Sequence, residues 1–196
     1  MNIEKITKFV FEINQLKFKK QNGWYLAGVK NPPSVAEHVM RAAQLGYIIA
    51  VMEGDANPEK VASIILIHDN GEARIGDQDK IAARYYIKDD AEKRAFEDQI
   101  NNLGEEIERK WKEYFEEFEN RKTREGIIAK DADWLETAFQ AKEYLDLGYA
   151  STIDFIENVE KAVETESAKK IAAEMKKTNF TDWWKGLKKM TYEKLS

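Results

Sequence analysis

The sequence predicts an all-α fold, and three observations carry that prediction. Apolar residues recur at three- and four-residue spacing along most of the chain, the period of a helix with one buried face. Only three prolines and ten glycines interrupt the 196 residues. Two segments, Ser34-Val35-Ala36-Glu37 and Asn57-Pro58, carry helix-start chemistry, a capping box in the first and an Asn cap with proline at the first helical position in the second. No segment reads as a persuasive strand, no internal repeat is present, and no linker divides the chain. A single helical domain over residues 1–196 is therefore expected.

The elements follow in order. Ile3, Ile6, Val10, Ile13 and Leu16 share one face of a first helix over about residues 2 to 17. Residues 19–33 contain Gly23, Gly28, Pro32 and Pro33 and read as a loop. Ser34 then starts a helix whose apolar stripe is Val35, Val39, Ala42, Ala43, Gly46, Ile49 and Ala50, ended by the segment 54–57. Asn57 starts the next, which carries Val61, Ile64, Ile65 and Leu66 into His68-Asp69, after which Gly71 and Gly76 loosen the chain. From Asp90 the helical period resumes, with Phe96 and Ile100 on one face and Ile107, Trp111, Phe115 and Phe118 on another. Gly104 marks the break between these two helices. A long helix is expected from about 123 to 147, stopped by Gly148. Phe155, Val159, Val163 and Ile171 predict one more helix, and Trp183-Trp184 a short last one.

Hydrophobic residues make up 43% and charged residues 34%, a globular balance. The net charge of −5, with both signs interspersed, argues against nucleic acid as a partner, since duplex binding wants a basic face. No run approaches the roughly 18 apolar residues of a membrane span. The absence of cysteine excludes a thiolate metal site and fits a cytoplasmic protein.

Chemistry concentrates in His68-Asp69-Asn70-Gly71-Glu72-Ala73-Arg74-Ile75-Gly76-Asp77. Adjacent helical residues point about 100° apart, so His68 and Asp69 can approach one ion from two directions. Glu72 lies on their side if the helix continues, and Asp77 follows a glycine where the chain can turn. Imidazole with carboxylate is the ligand set of one divalent transition ion, Co, Mn, Zn, Ni or Fe. His38, the other of the only two histidines, sits in the first turn of its helix, where it can face a cleft. An isolated His-Asp pair is more often structural than metal-binding, but the confinement of both histidines to such positions favours the ion.

His38 in Ser-Val-Ala-Glu-His, the string from His68 to Asp77, and Asp133 in Lys-Asp-Ala-Asp together resemble the HD-domain metal-dependent phosphohydrolases. Within them, the segment from Asn22 to His38 is similar to the YfbR-like 5′-nucleotidase and oxetanocin-like branch, and the likeness extends from about residue 16 to 150. The resemblance implies His38, His68, Asp69 and Asp133 as metal ligands and Glu72 and Asp77 as catalytic carboxylates around the attacking water and the substrate. It implies Trp24 beside the nucleotide. Relatives carry an arginine shortly before that tryptophan. This chain has Lys19-Lys20-Gln21-Asn22-Gly23-Trp24, so Lys20 stands in without arginine's two-pronged fork.

The expected function is hydrolysis of (deoxy)ribonucleoside 5′-monophosphates to nucleoside and phosphate by a metal-activated water. Two alternatives are an HD-family hydrolase of another phosphorylated small molecule and a non-catalytic helical module that keeps its ion for structure. Relatives are commonly homodimers, and the same state is expected here. Asp131 reads as a carboxylate in solvent or behind a ligand; Arg74, Lys80 and Lys130 read as surface ion-pairing groups. The stripe Trp111, Tyr114, Phe115 and Phe118 reads as core or subunit contact, and so do Trp183 and Trp184.

Overall fold

A computed structural model describes residues 2–85, 88–101 and 103–187. Among the described residues there are eleven helices: α1 (Ile3–Ile13), α2 (Gly23–Leu26), α3 (Val35–Glu53), α4 (Pro58–His68), α5 (Glu72–Ile75), α6 (Lys80–Ala83), α7 (Lys88–Ile100), α8 (Glu105–Asn120), α9 (Arg124–Asp146), α10 (Ile153–Ala162) and α11 (Glu166–Lys177). Short 3₁₀ turns at Asn14–Lys17, Ala150–Thr152 and Asp182–Trp184 complete the order. No strand occurs among the described residues; Lys20 and Ser34 form an isolated antiparallel bridge. No helix among them is long and apolar enough to cross a membrane.

The expected start and stop signals operate. Ser34 Oγ accepts from the Glu37 amide at 3.3 Å, while Glu37 Oε2 accepts from the Ser34 amide at 2.6 Å. Asn57 caps α4 through the Lys60 amide at 2.9 Å, with Pro58 behind it. Gly54 ends α3 at φ 75°, a conformation that costs glycine little.

Helix α9 is the axis of the core. Its face of Ile128, Ala129, Ala132, Leu135, Ala138 and Ala141 is buried. The small alanines let α3, α4, α8, α10 and α11 pack closely around it. A second cluster joins Phe9, Ile67, Phe96, Ile100, Leu103 and Phe115, with Trp111 half-buried against it. The aromatic stripe of α8 therefore belongs to the core, and Phe118 reaches into the main cluster. Trp183 is 75% exposed and Trp184 50%, so these two pack little.

One expected helix is two. The apolar period running from Phe155 to Ile171 breaks at Val163 (ψ 136°), and Thr165 caps α11. Asp131, buried rather than solvated, holds this junction. Its carboxylate accepts from the Glu164 amide at 2.9 Å and from the Thr165 amide and hydroxyl, both at 2.7 Å. Burial raises its pKa, and these donors pull the other way. Asp131→Ala is expected to lower unfolding stability by about 3 kcal/mol, because it strands buried donors that bond a charged acceptor. Urea unfolding measures this, and a change within about 0.5 kcal/mol, ordinary for a surface site, sinks the assignment.

Candidate functional site

Three helices bring the two histidines and two aspartates together. His38 projects from the first turn of α3, directly after the capping box. His68 is the last residue of α4 and Asp69 its C-cap. Asp133 comes from the middle of α9. His38 Nε2 lies 3.1 Å from Asp133 Oδ1 and 3.9 Å from Asp69 Oδ2; His68 Nε2 lies 3.0 Å from Asp69 Oδ1 and 3.7 Å from Asp133 Oδ1. Ligand atoms of His38, His68 and Asp69 fall within 4.8 Å of one another. Both histidines are buried.

Each imidazole spends its Nδ1 away from this point. His68 Nδ1–H donates to the Ile65 carbonyl at 2.6 Å, within its own helix. His38 Nδ1 bonds the buried carboxylate of Glu136. Both Nε2 atoms are thereby directed at the carboxylates, and the donor set of two imidazole nitrogens with aspartate oxygens fits a divalent transition ion.

The electrostatics are strongly coupled. Burial works against a charged His38, yet hydrogen bonds to Asp133 and Glu136 and their charges lift its pKa to about 10. Burial likewise opposes charge on His68, and the negative charge of Asp69 leads the groups that carry it well above the usual histidine range. Burial pushes the Asp133 carboxyl up, but the Lys130 charge and the two imidazoles hold it well below the usual range. Asp69 is lowered against its own burial, chiefly by the charge of His68.

These groups line a cavity of about 280 Å³, together with Gln21, Glu72, Asp77, Glu92, Phe118, Glu119, Lys130 and Thr137. Glu72 opens α5 and is buried beside Asp69. Carboxylate oxygens of Asp69, Glu72 and Glu92 lie within 4.8 Å of one another. Gly71 permits this closeness: a Cβ there would meet the Glu92 carbonyl oxygen of α7 at 2.8 Å. Asp77 Oδ2 accepts from the Asn22 amide at 2.5 Å, and the Asp77 carbonyl accepts from Asn22 Nδ2 at 2.5 Å, so Asp77 pins the loop before α2 to the cavity rim.

Two expected substrate contacts are placed elsewhere. Trp24 is 2% exposed, stacked at 4.8 Å on Phe155 and edge-on at 5.2 Å to Tyr144. Its reach to the cavity is indirect, through Nε1–H donated to Gln21 Oε1 at 2.9 Å. Lys20 is tied by its backbone bridge to Ser34 and does not line this cavity. Among the described residues, the cation lining the cavity is Lys130, 3.4 Å from Asp133 Oδ2 and 4.0 Å above the Phe118 ring. Arg74 does pair with Glu12, at 2.5 Å, and Lys80 is exposed. Sequence reasoning missed Glu92 and Glu136. Nothing local marks Glu92; Glu136 follows Asp133 by three positions, which on a helix places both on one face.

The chain matches the HD domain family over residues 13–180. It is 34% identical over 139 residues to the 5′-deoxynucleotidase HDDC2 of Dictyostelium discoideum, spanning 66% of this chain and 72% of that protein. It is 27% identical over 202 residues to the 5′-deoxynucleotidase HDDC2 of Danio rerio, spanning 92% and 96%. A conserved hypothetical protein from Pyrococcus furiosus superposes with a TM-score of 0.72 at 30% identity, covering 88% of this chain and 99% of that one. With a match over most of its length, and with the His, His-Asp and Asp segments converging in space, the chain belongs to the HD domain family.

Proposed function

We propose that this chain is a metal-dependent phosphomonoesterase that hydrolyses deoxyribonucleoside 5′-monophosphates to nucleoside and phosphate. The observation that carries this reading is the convergence of His38, His68, Asp69 and Asp133 at one cavity that also holds a buried Glu72 and the Lys130 ammonium. The names of the relatives point to the same reaction.

A bound divalent ion supplies water activation and neutralises phosphate charge. His38 and His68 offer Nε2 lone pairs, and Asp69 and Asp133 offer carboxylate oxygens. The buried Glu72 takes the proton from the attacking water as its oxygen bonds phosphorus, and passes that proton to the nucleoside 5′-oxygen as the P–O5′ bond breaks. Lys130 meets a non-bridging phosphate oxygen as a point charge. Asp77 keeps the segment bearing Gln21 and Asn22 against the cavity and so bounds the space left for the sugar.

The test is phosphate release from a panel of ribo- and deoxyribonucleoside 5′-monophosphates and other phosphate esters, with Co, Mn, Zn, Ni or Fe added singly. Release from the deoxynucleotides is expected. Preference for an unrelated ester moves the substrate to another phosphorylated small molecule, and no release with any ion overturns the enzyme.

We also propose that the chain works as a homodimer through α3. Met40, Tyr47, Ile48, Val51 and Met52 form an apolar stripe on its outer face, each 42–58% exposed. Sedimentation should give a dimer that Ile48→Glu converts to monomer. A monomeric wild type at micromolar concentration rejects this reading.

A further inference from the structure

Glu136 is the buried charged group nearest the ligand cluster to which the reaction assigns no part. Its two oxygens face different partners. Oε2 bonds His38 Nδ1, and Oε1 accepts from Arg41 Nε at 2.7 Å and lies 2.6 Å from Arg41 Nη2. Arg41 stands one helical turn after His38 on α3, as Glu136 stands one turn after Asp133 on α9. The guanidinium is held in turn, by Glu143 Oε1 at 2.5 Å and Gln140 Oε1 at 3.1 Å, and Gln140 Nε2 donates to Glu143 Oε2 at 3.0 Å. A ladder of charged hydrogen bonds thus runs from the half-exposed Arg41 down to His38.

The two histidines differ in what fixes them. His68 is oriented by a carbonyl of its own helix, which no side-chain change removes. His38 sits in a first turn and is oriented by Glu136, a contact across 98 positions of sequence. A carboxylate held by arginine accepts but does not donate, so the proton of a neutral His38 must sit on Nδ1. The lone pair then lies on Nε2, toward Asp69 and Asp133, and the neighbouring negative charge makes that nitrogen a stronger donor.

We infer that Glu136, steadied by Arg41, is the positioning residue that sets the tautomer and donor strength of His38 and so the ion affinity of the site. This rests on the metal reading above. The experiment is titration of the purified, metal-free protein with Co²⁺ alone, followed by visible absorption and calorimetry. Glu136→Gln keeps the volume and removes the charge. It should weaken Co²⁺ binding by roughly 10- to 100-fold and shift the visible band. Arg41→Met, outside the core, should weaken binding in the same direction by less. Asp131→Asn is the control for general destabilisation and should leave the Co²⁺ affinity of the folded protein unchanged. Wild-type affinity and spectrum in both Glu136→Gln and Arg41→Met overturn the inference while leaving the metal reading intact. A wild type that does not bind Co²⁺ overturns both. If Glu136→Gln fails to fold, Arg41→Met decides: weaker binding supports the link and unchanged binding rejects it.

Discussion

Replacing Asp69 with asparagine is expected to empty the ion site and cut phosphate release about a thousandfold, the rate equivalent of about 4 kcal/mol of lost charge stabilisation. Asp69 is the most exacting position to test because it belongs to two groups at once. Its oxygens face His38 and His68 on one side and Glu72 and Glu92 on the other. Asparagine keeps the shape and suits the backbone at φ −98°, ψ 11°, so the fold should survive. The pH dependence gives a second readout. In the metal-free protein the His38 pKa is raised to about 10 and that of His68 well above its ordinary value, so ion and proton compete for Nε2. Apparent affinity in the wild type should therefore rise with pH and level off only above about 10. Asp69 leads the groups that raise His68, so Asp69→Asn should bind weakly with a shallower pH slope. Calorimetry across pH and elemental analysis of the purified variant check this. A variant with wild-type metal content and turnover rejects Asp69 as a ligand.

What could be read from the chain follows how local the underlying physics is. Ser34 with Glu37, and Asn57 with Pro58, announce their helices because capping is settled within four residues. His68, Asp69 and Glu72 are close in space because they are close in sequence, and His38 and Asp133 join them on motif register. Contacts between helices are different. Thr165 marks the start of α11 locally, but the Asp131 carboxylate that holds the Glu164 and Thr165 amides at this junction comes from more than thirty positions away, and no pattern within the run reports it. Glu92 reaches the site because α7 packs its backbone on Gly71, a closeness visible only after folding. Trp24 and Lys20 show the converse. They lie beside the site in sequence, but α2 turns the indole into the core against Phe155, and the Lys130 ammonium that lines the cavity comes from α9. Position in the chain just before Trp24 does not determine which amine lines the cavity.

Glu72→Gln is the second large effect expected: turnover should fall by about 10²- to 10⁴-fold, the usual contribution of a positioned proton acceptor, with the ion retained. Glutamine keeps the length, the burial and one oxygen of Glu72, but it cannot take a proton from water. If Glu72 acts as the base, kcat drops, KM moves little and Co²⁺ affinity stays within a few-fold of wild type. The structure makes the contrary outcome concrete. Glu72 shares a close oxygen cluster with Asp69 and Glu92, so a Glu72 that ligates instead would lose Co²⁺ in step with turnover. Glu92→Gln separates the two cases further. A base flanked by a second carboxylate should tolerate that neighbour's neutralisation with a modest change in its pH profile, whereas a ligand set spanning Asp69, Glu72 and Glu92 should lose ion affinity with either substitution. Asp77→Asn is expected to behave differently from both. Its carboxylate holds the Asn22 amide, so the change should loosen the cavity wall and raise KM more than it lowers kcat. Parallel losses of metal in all three variants would place the carboxylates together as ligands and remove Glu72 as the base.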